Sequence, residues 1–304
     1  MGKGLLRSST GELVLNRSAP VPVHLFYRFS GKTRHFRGIP PKMTRVVEEE
    51  NVSSRDQIIP GLAVASVVTA LQILSAPQRA AMSIFILLNG HAAEDPHYQL
   101  WFLQAFGPLH VKELSVVTDC PGSNEGSYEC MLEHAAKTGD AKETMLLFLE
   151  EDYFLKHDAF TRSIDFWSSY QPCFIVPYDY PDRYSRTDNE DYGRTAILRM
   201  PQLHWRSVES TMVTYAVRRD IFDELRESLP APWDDRSRSR RLSQYGIWSP
   251  IPSLASHVHQ DEPTPWCGLL SDFDEPCKVT VARLCAALIS LEFPLGIDCL
   301  QDIL

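Results

Sequence analysis

The sequence predicts an α/β protein: one mostly parallel, twisted sheet with helices on both faces, forming a single domain. Three observations carry that prediction. Short apolar runs without alternation, such as Met82 to Leu88 and Met145 to Leu149, are what strands buried on both faces require. Stretches of helical length separate these runs, so strand and helix alternate in the order that gives right-handed crossovers. The composition is ordinary for a globular chain: 304 residues, 44% hydrophobic and 23% charged, enough for one large domain or two small ones.

The elements follow in order. Residues 1–19 are polar and turn-rich and read as a loose arm. Val21 to Ser30 alternates and is rich in aromatics, which makes it the first strand. Gly31 to Pro41 sets Lys32, Arg34, His35 and Arg37 among Gly and Pro, a loop that either meets phosphate or is simply solvated. Arg45 to Glu50 is charged and faces solvent. Residues 57–75 read as a buried helix; Pro60, Thr69 and Gln72 interrupt its apolar run, which falls short of a membrane span. Met82 to Leu88 is a second strand closing on the turn pair Asn89-Gly90. A helix from His97 to Phe106 is stopped by Gly107-Pro108. Glu113 to Asp119 is a third strand, Cys120 to Gly126 a loop, and Ser127 caps a helix running to Lys137.

The fourth strand, Met145-Leu-Leu-Phe-Leu149, ends in Glu150, Glu151 and Asp152, then Tyr153. Ligands of open α/β sheets bind outside the carboxyl ends of the strands. Three adjacent acids repel one another unless a cation or hydrogen-bond donors offset them. Carboxylate oxygens suit Mg2+ or Mn2+, held by one or two acids together with substrate phosphates. The pattern therefore points to a metal–diphosphate site, the other reading being an acidic helix start favoured by the helix dipole.

Beyond the acids, His157 to Tyr170 reads as a helix and Cys173 to Tyr178 as a strand. Residues 185–195 are polar. Thr195 to Met200 and Thr211 to Val217 read as strands flanking His204-Trp205-Arg206-Ser207. Asp220 to Ser228 is helical, and Pro230 to Asp235 opens a further helix carrying Arg236, Arg238, Arg240 and Arg241. Gly246 to His257 is Pro-rich and extended, ending near His257, His259, Asp261 and Glu262; residues 279–291 form a last helix. A late His that reaches back to the strand-end acids would complete a metal's shell, or it is structural. Trp205, Trp233, Trp248 and Trp266 either stack on a sugar or base ring or plug edges of the fold.

Several classes are disfavoured. A net charge of -9 offers no basic face for nucleic acid. Seven cysteines with no CxxC pair predict free buried thiols rather than zinc or a disulfide framework. The first residues lack a signal-peptide apolar region and the myristoylation spacing, so a cytoplasmic protein with no membrane span is expected. No GxGxxG or GxxxxGK[ST] follows a strand, which weakens a dinucleotide or P-loop reading.

Four segments carry a resemblance. Leu149-Glu-Glu-Asp-Tyr153 is similar to an E-D-D-Y type metal motif, with Glu151 where Asp is more usual. Pro177-Tyr-Asp-Tyr-Pro-Asp-Arg-Tyr184 is similar to Y-D-H-P-D-K-Y, His204 to Met212 to H-W-R-T-T-x-S-T-T-M, and Ser249 to His257 to S-P-I-P-G-L-x-T-H. In this order, over about residues 20–272, they resemble the GT-A-fold, nucleotide-sugar-dependent glycosyltransferases, and more narrowly a bacterial and viral group of them.

The resemblance implies transfer, inverting in the manner of that group, of a hexosyl or pentosyl unit from a UDP- or GDP-linked sugar to an acceptor hydroxyl of a sugar, glycan or small molecule. Mn2+ or Mg2+ would be held by Glu151, Asp152 and His257, with Glu150 reaching ribose or a metal-bound water. Phe26, Tyr27 and Arg28 would flank the nucleobase and ribose, with Asn89 nearby. His204 and Trp205 would shape the sugar or acceptor pocket. An inverting transfer needs a carboxylate base beside the acceptor hydroxyl; Asp234 and Asp235 are the candidates, then Glu209, although Asp at a helix start is also a common cap. The division expected is an arm (1–19), a nucleotide-sugar half (20–153), an acceptor half (154–278) and a C-terminal helix and tail (279–304). A nucleotidyltransferase, or a non-catalytic binding protein of the same fold, remains the alternative.

Overall fold

The computed structural model describes residues 19–30, 55–139, 141–180, 196–201, 203–209, 211, 214–229, 242 and 244–257, with side chains from residue 63 onward in the first long helix. The arm up to residue 18, the basic loop 31–41, Arg45 to Glu50, the polar loop 185–195, Asp234, Asp235, the arginine-bearing segment after them, His259, Asp261, Glu262 and the C-terminal helix lie outside the described residues, as do Trp233 and Trp266.

The first half alternates as the apolar runs require. Strand β1 (Val23–Phe29) is followed by helices α1 (Arg55–Gln72) and α2 (Ala76–Ala80), then β2 (Met82–Leu88), α3 (Gly90–Glu94), α4 (Pro96–Phe106), β3 (Glu113–Val117), α5 (Asn124–Lys137) and β4 (Met145–Glu150). These four strands pair in parallel in the order β3-β2-β1-β4. Every residue of β1 and β2 is buried, and so are Met145 to Leu149 of β4. At about 1.5–3 kcal/mol per buried large apolar side chain, this is why the central strands can carry carboxylates at their tips.

The second half reverses direction twice. It holds β5 (Tyr153–Leu155), α6 (Ala159–Tyr170), β6 (Phe174–Ile175), β7 (Ile197–Arg199), β8 (His204–Val208), β9 (Tyr215–Arg218), α7 (Arg219–Leu225), β10 (Ile247–Ile251) and β11 (Ala255–His257). The main sheet runs β3-β2-β1-β4-β9-β6-β10-β8-β7. Strand β9 is antiparallel to both β4 and β6, and β8 is antiparallel to both β10 and β7, so the other seven strands run one way. The sheet is mixed and mostly parallel, as expected.

Helices cover both faces. On one, Tyr27 and Phe29 pack on Phe102 of α4, and Met145, Leu147 and Leu149 lie over Ala159, Phe160 and Ser163 of α6. On the other, Phe26 stacks between Phe85 and Phe148, Phe148 meets Phe222 of α7, and the Tyr128 hydroxyl of α5 meets that of Tyr215. Among the described residues, no helix is long and apolar enough to cross a membrane.

The structure corrects four local expectations. Helix α5 is capped by Ser123, whose Oγ accepts from the Gly126 amide at 3.0 Å, leaving Ser127 inside the helix. The His204 to Ser207 segment is itself strand β8 rather than a link between strands. Of the expected strand from Cys173 to Tyr178, only Phe174 and Ile175 pair. Cys120 and Cys130 are a disulfide, not free thiols: the loop after β3 folds back onto the second turn of α5 and brings their Cα atoms to 5.7 Å. A pairing set by that return leaves no spacing motif in the sequence. Cys173 is free.

Candidate active site

The parallel register aligns the tips of β1, β2 and β4. Phe29 lies opposite Leu88, and Arg28 opposite Glu150. The residues just beyond these ends, Ser30, Asn89, Glu151 and Asp152, therefore share one edge of the sheet. After Asp152 the chain leaves the main sheet as β5, which pairs antiparallel with β11; Tyr153 sits opposite His257. Helix α1 supports this ribbon through Ser66, whose Oγ accepts from the Leu155 amide at 3.0 Å. That small second sheet carries His257 to the acids, 105 residues away along the chain, with His257 Nε2 3.0 Å from Asp152 Oδ2.

The three consecutive acids have three different partners. Glu150 forms a partly buried ion pair with the Arg28 guanidinium. The same guanidinium donates to the Asn124 carbonyl at 2.7 Å and to Ser127 Oγ at 3.0 Å. Glu151 accepts from the Ser30 amide at 2.9 Å and from the Ser30 hydroxyl, tying the tip of β4 to that of β1. Asp152 faces His257, and its other oxygen, Oδ1, is buried with no hydrogen-bond partner among the described residues.

Electrostatics sharpen the division. Burial raises the Glu150 carboxyl above the ordinary range, against the Arg28 charge that pulls it down. Burial also pushes Asp152 up, but the His257 hydrogen bond and charge, with Arg28 beyond, outweigh it and hold the carboxyl below its usual value. Burial alone would lower His257; the Asp152 hydrogen bond and charge, then Glu150, raise it instead. An aromatic wall encloses the pair. Tyr153 stacks on the His257 ring at 4.6 Å, Tyr178 meets Tyr153 edge-on at 5.7 Å, and the Tyr153 and Tyr180 hydroxyls are 3.2 Å apart. Burial and the nearby Tyr180, Glu150 and Asp152 hold the Tyr153 phenol well above its usual value, so it stays protonated.

The donor set fits a divalent cation. A buried carboxylate oxygen without a partner is costly unless something positive meets it. The described residues offer one carboxylate and one imidazole at that point, leaving the remaining positions to phosphate oxygens and water, the usual mode for Mg2+ and Mn2+.

Other expected site residues stand elsewhere. Glu151 has both carboxylate oxygens hydrogen-bonded to Ser30 at the tip of β1. Phe26 and Tyr27 are fully buried in the core, one on each face, and present no ring to a nucleobase. Arg28 is committed to Glu150 and α5 rather than to ribose. Asn89 is buried at the tip of β2, beside the β1 end, its amide donating to the Phe29 carbonyl. Trp205 is buried against Phe166, ring centroids 4.1 Å apart, so it is a core plug. His204 is exposed and lies opposite Ile251, at the site edge. Glu209 is corrected as a base: it follows Val208, which pairs with Ile247 at the opposite edge, about 13 Å further along β8 at the usual rise per residue. Reasoning from sequence missed Ser30, the tyrosine wall, and the buried Asp179–Arg206 pair, bonded at 2.6 Å just beyond β6. The Tyr and Asp residues of the Pro177 to Tyr184 segment were visible, but no spacing rule tied them to His257.

No family model and no curated protein matches the sequence. Among solved structures, the chain is similar to S. aureus TarS. Against residues 1-349 of TarS in complex with UDP-GlcNAc, the identity is 9% and the TM-score 0.41, over 75% of this chain and 55% of that one. Against a second TarS structure the identity is again 9% and the TM-score 0.43, over 90% of this chain and 43% of that one. A complex of residues 1-349 with UDP gives 9% and 0.40, over 90% and 70%. The chain thus spans about half the length of the first of these structures, and the likeness supplies no residue-by-residue correspondence.

Proposed function

We propose that this protein is a metal-dependent glycosyltransferase that uses a nucleoside-diphosphate sugar of the UDP or GDP type. One observation carries the reading: at the carboxyl edge of parallel strands, Asp152 and His257 converge at 3.0 Å while a buried Asp152 oxygen stays without a partner. Glycosyl transfer from such a donor expels a nucleoside diphosphate, so the site must stabilise charge growing on phosphate. Mn2+ or Mg2+, held by Asp152 and His257, supplies Lewis-acid stabilisation of that leaving group when bound.

The chain's own residues do the rest. Arg28 offsets the burial of Glu150 and fixes its carboxyl beneath the site, so the tip of β4 does not carry three mobile acids. Glu151 and Ser30 lock β1 to β4 and hold the floor rigid. The ring stack on Tyr153 orients the His257 imidazole, and the tyrosine wall excludes water that would otherwise hydrolyse the donor. His204, exposed at the same edge, is the side chain proposed to meet sugar or acceptor. Inversion by a carboxylate base is part of the proposal, with Asp234 and Asp235 as its candidates.

Incubating the chain with a panel of UDP- and GDP-sugars, with and without Mn2+, tests the reading. Metal-dependent release of UDP or GDP that is lost in Asp152→Asn supports it. Metal-independent turnover, or pyrophosphate release from a nucleoside triphosphate and a sugar phosphate instead, overturns it.

A further inference from the structure

A second cluster lies past the carboxyl end of the edge strand β3, and the donor reading does not use it. Asp119 and Cys120 follow β3; Cys130 and His134 stand four residues apart on one face of α5. One ligand atom from each of the four lies within 4.8 Å of the others, with His134 Nε2 3.9 Å from Asp119 Oδ1. Cys120 is buried, Cys130 and His134 are half-buried, and Asp119 is exposed, so the group has an inner floor and an open side.

We propose that the reduced form of the Cys120–Cys130 pair is a Zn2+ site completed by His134 and Asp119. Two thiolates and an imidazole are soft and borderline donors that select Zn2+, whereas the oxygen-rich tip of β4 selects Mg2+ or Mn2+. The i, i+4 spacing of Cys130 and His134 puts both on one helical face, the arrangement by which two ligands from one helix grip a single ion. The Cα atoms of the two cysteines are already 5.7 Å apart, so no backbone rearrangement is needed to bring both sulfurs to one centre. Asp119, on the open side, supplies the fourth ligand and the entry path.

The disulfide and the ion are alternative crosslinks of one segment. A small disulfide such as oxidised glutathione interconverts them. The two protein thiolates give up two electrons to form the S–S bond. The small disulfide takes those electrons and two protons and leaves as two thiols, and Zn2+ departs. Either crosslink holds residues 120–130, which contain both α5 groups that bind Arg28, the Asn124 carbonyl and Ser127 Oγ. The segment also approaches α3 closely: a Cβ on Gly122 would come within 3.3 Å of Gly90 Cα.

The test titrates the full chain, reduced with a phosphine and freed of metal, with Co2+ alone and then Zn2+ alone. Co2+ is read by its near-ultraviolet thiolate band, which the Asp152–His257 site cannot produce. The expected result is a band saturating at about one equivalent and bleached by Zn2+ or by oxidised glutathione. It is absent in Cys130→Ser, and affinity falls more than about tenfold in His134→Ala. No thiolate band in the reduced chain, a band that persists in Cys130→Ser, or unchanged affinity in His134→Ala overturns the proposal. Should Cys130→Ser fail to fold by circular dichroism, His134→Ala, which alters no sulfur, gives the deciding reading.

Discussion

Two neighbouring carboxylate–cation pairs at the end of β4 differ in how completely they are satisfied. Arg28–Glu150 is closed: the guanidinium is shared among Glu150, the Asn124 carbonyl and Ser127. Asp152–His257 is open: one carboxylate oxygen bonds the imidazole and the other has no partner among the described residues. Both are partly buried, and their acids are two residues apart in sequence. The difference teaches that in a run of acids the chemistry falls to the one the fold leaves incomplete, while the complete pair holds the frame.

Four measurements break or sharpen that contrast. The largest effect is expected where the closed pair loses its cation. Arg28→Met leaves Glu150 buried and unpaired and should cost about 3–5 kcal/mol in urea unfolding. A companion Glu150→Leu change should restore most of it, and if the double variant is no better than the single, the pair is not the frame element described. Asp152→Asn should do the reverse: keep the fold at a smaller stability cost, yet lose about a hundredfold or more in metal-dependent donor turnover. Wild-type turnover in that variant would move the reaction away from the open pair.

The third measurement is titration of the metal-free chain. His257 is raised and Asp152 lowered, each by the other. Stability from the pair is full between the ordinary Asp and His values. It is lost as pH rises through the raised His257 value, and lost again as pH falls through the lowered Asp152 value. In Asp152→Asn the His257 proton, followed by NMR, should titrate at lower pH than in wild type, because burial then acts with less opposition; an unmoved value would mean the two groups are uncoupled. The smallest effect belongs to the tie between strands. Ser30→Ala removes the hydroxyl donor to Glu151 but keeps the amide, and should cost about 1 kcal/mol in thermal unfolding with little change in donor affinity.

Much of this was legible in residues taken locally. Met82 to Leu88 and Met145 to Leu149 announce doubly buried strands through unbroken apolar runs, and the step from Leu149 to Glu150 marks a strand end where a ligand binds. The resemblance of Ser249 to His257 placed the late imidazole near the acids. The partition of the acids was not legible, because nothing local distinguishes Glu150, Glu151 and Asp152. Phe26, Tyr27 and Trp205 were misread for a related reason: an aromatic side chain suits a ligand pocket and a core equally well, and only packing separates the two. Glu209 was misplaced because strand direction leaves no local mark, and reversing β8 sends the residue that follows it to the far edge.

By itself, then, the sequence determined where most of the first-half strands and helices lie, that the central strands are buried on both faces, and that charge gathers at the tip of one of them. Those properties follow from side-chain periodicity and burial, which act within a few residues of each position. Only the tertiary structure decided that β5 pairs with β11 and so delivers His257 to Asp152, that Arg28 and Ser30 claim the two glutamates, and that Cys120 meets Cys130. These depend on contacts between residues distant along the chain, whose geometry is set by the whole sheet and not by any segment of it.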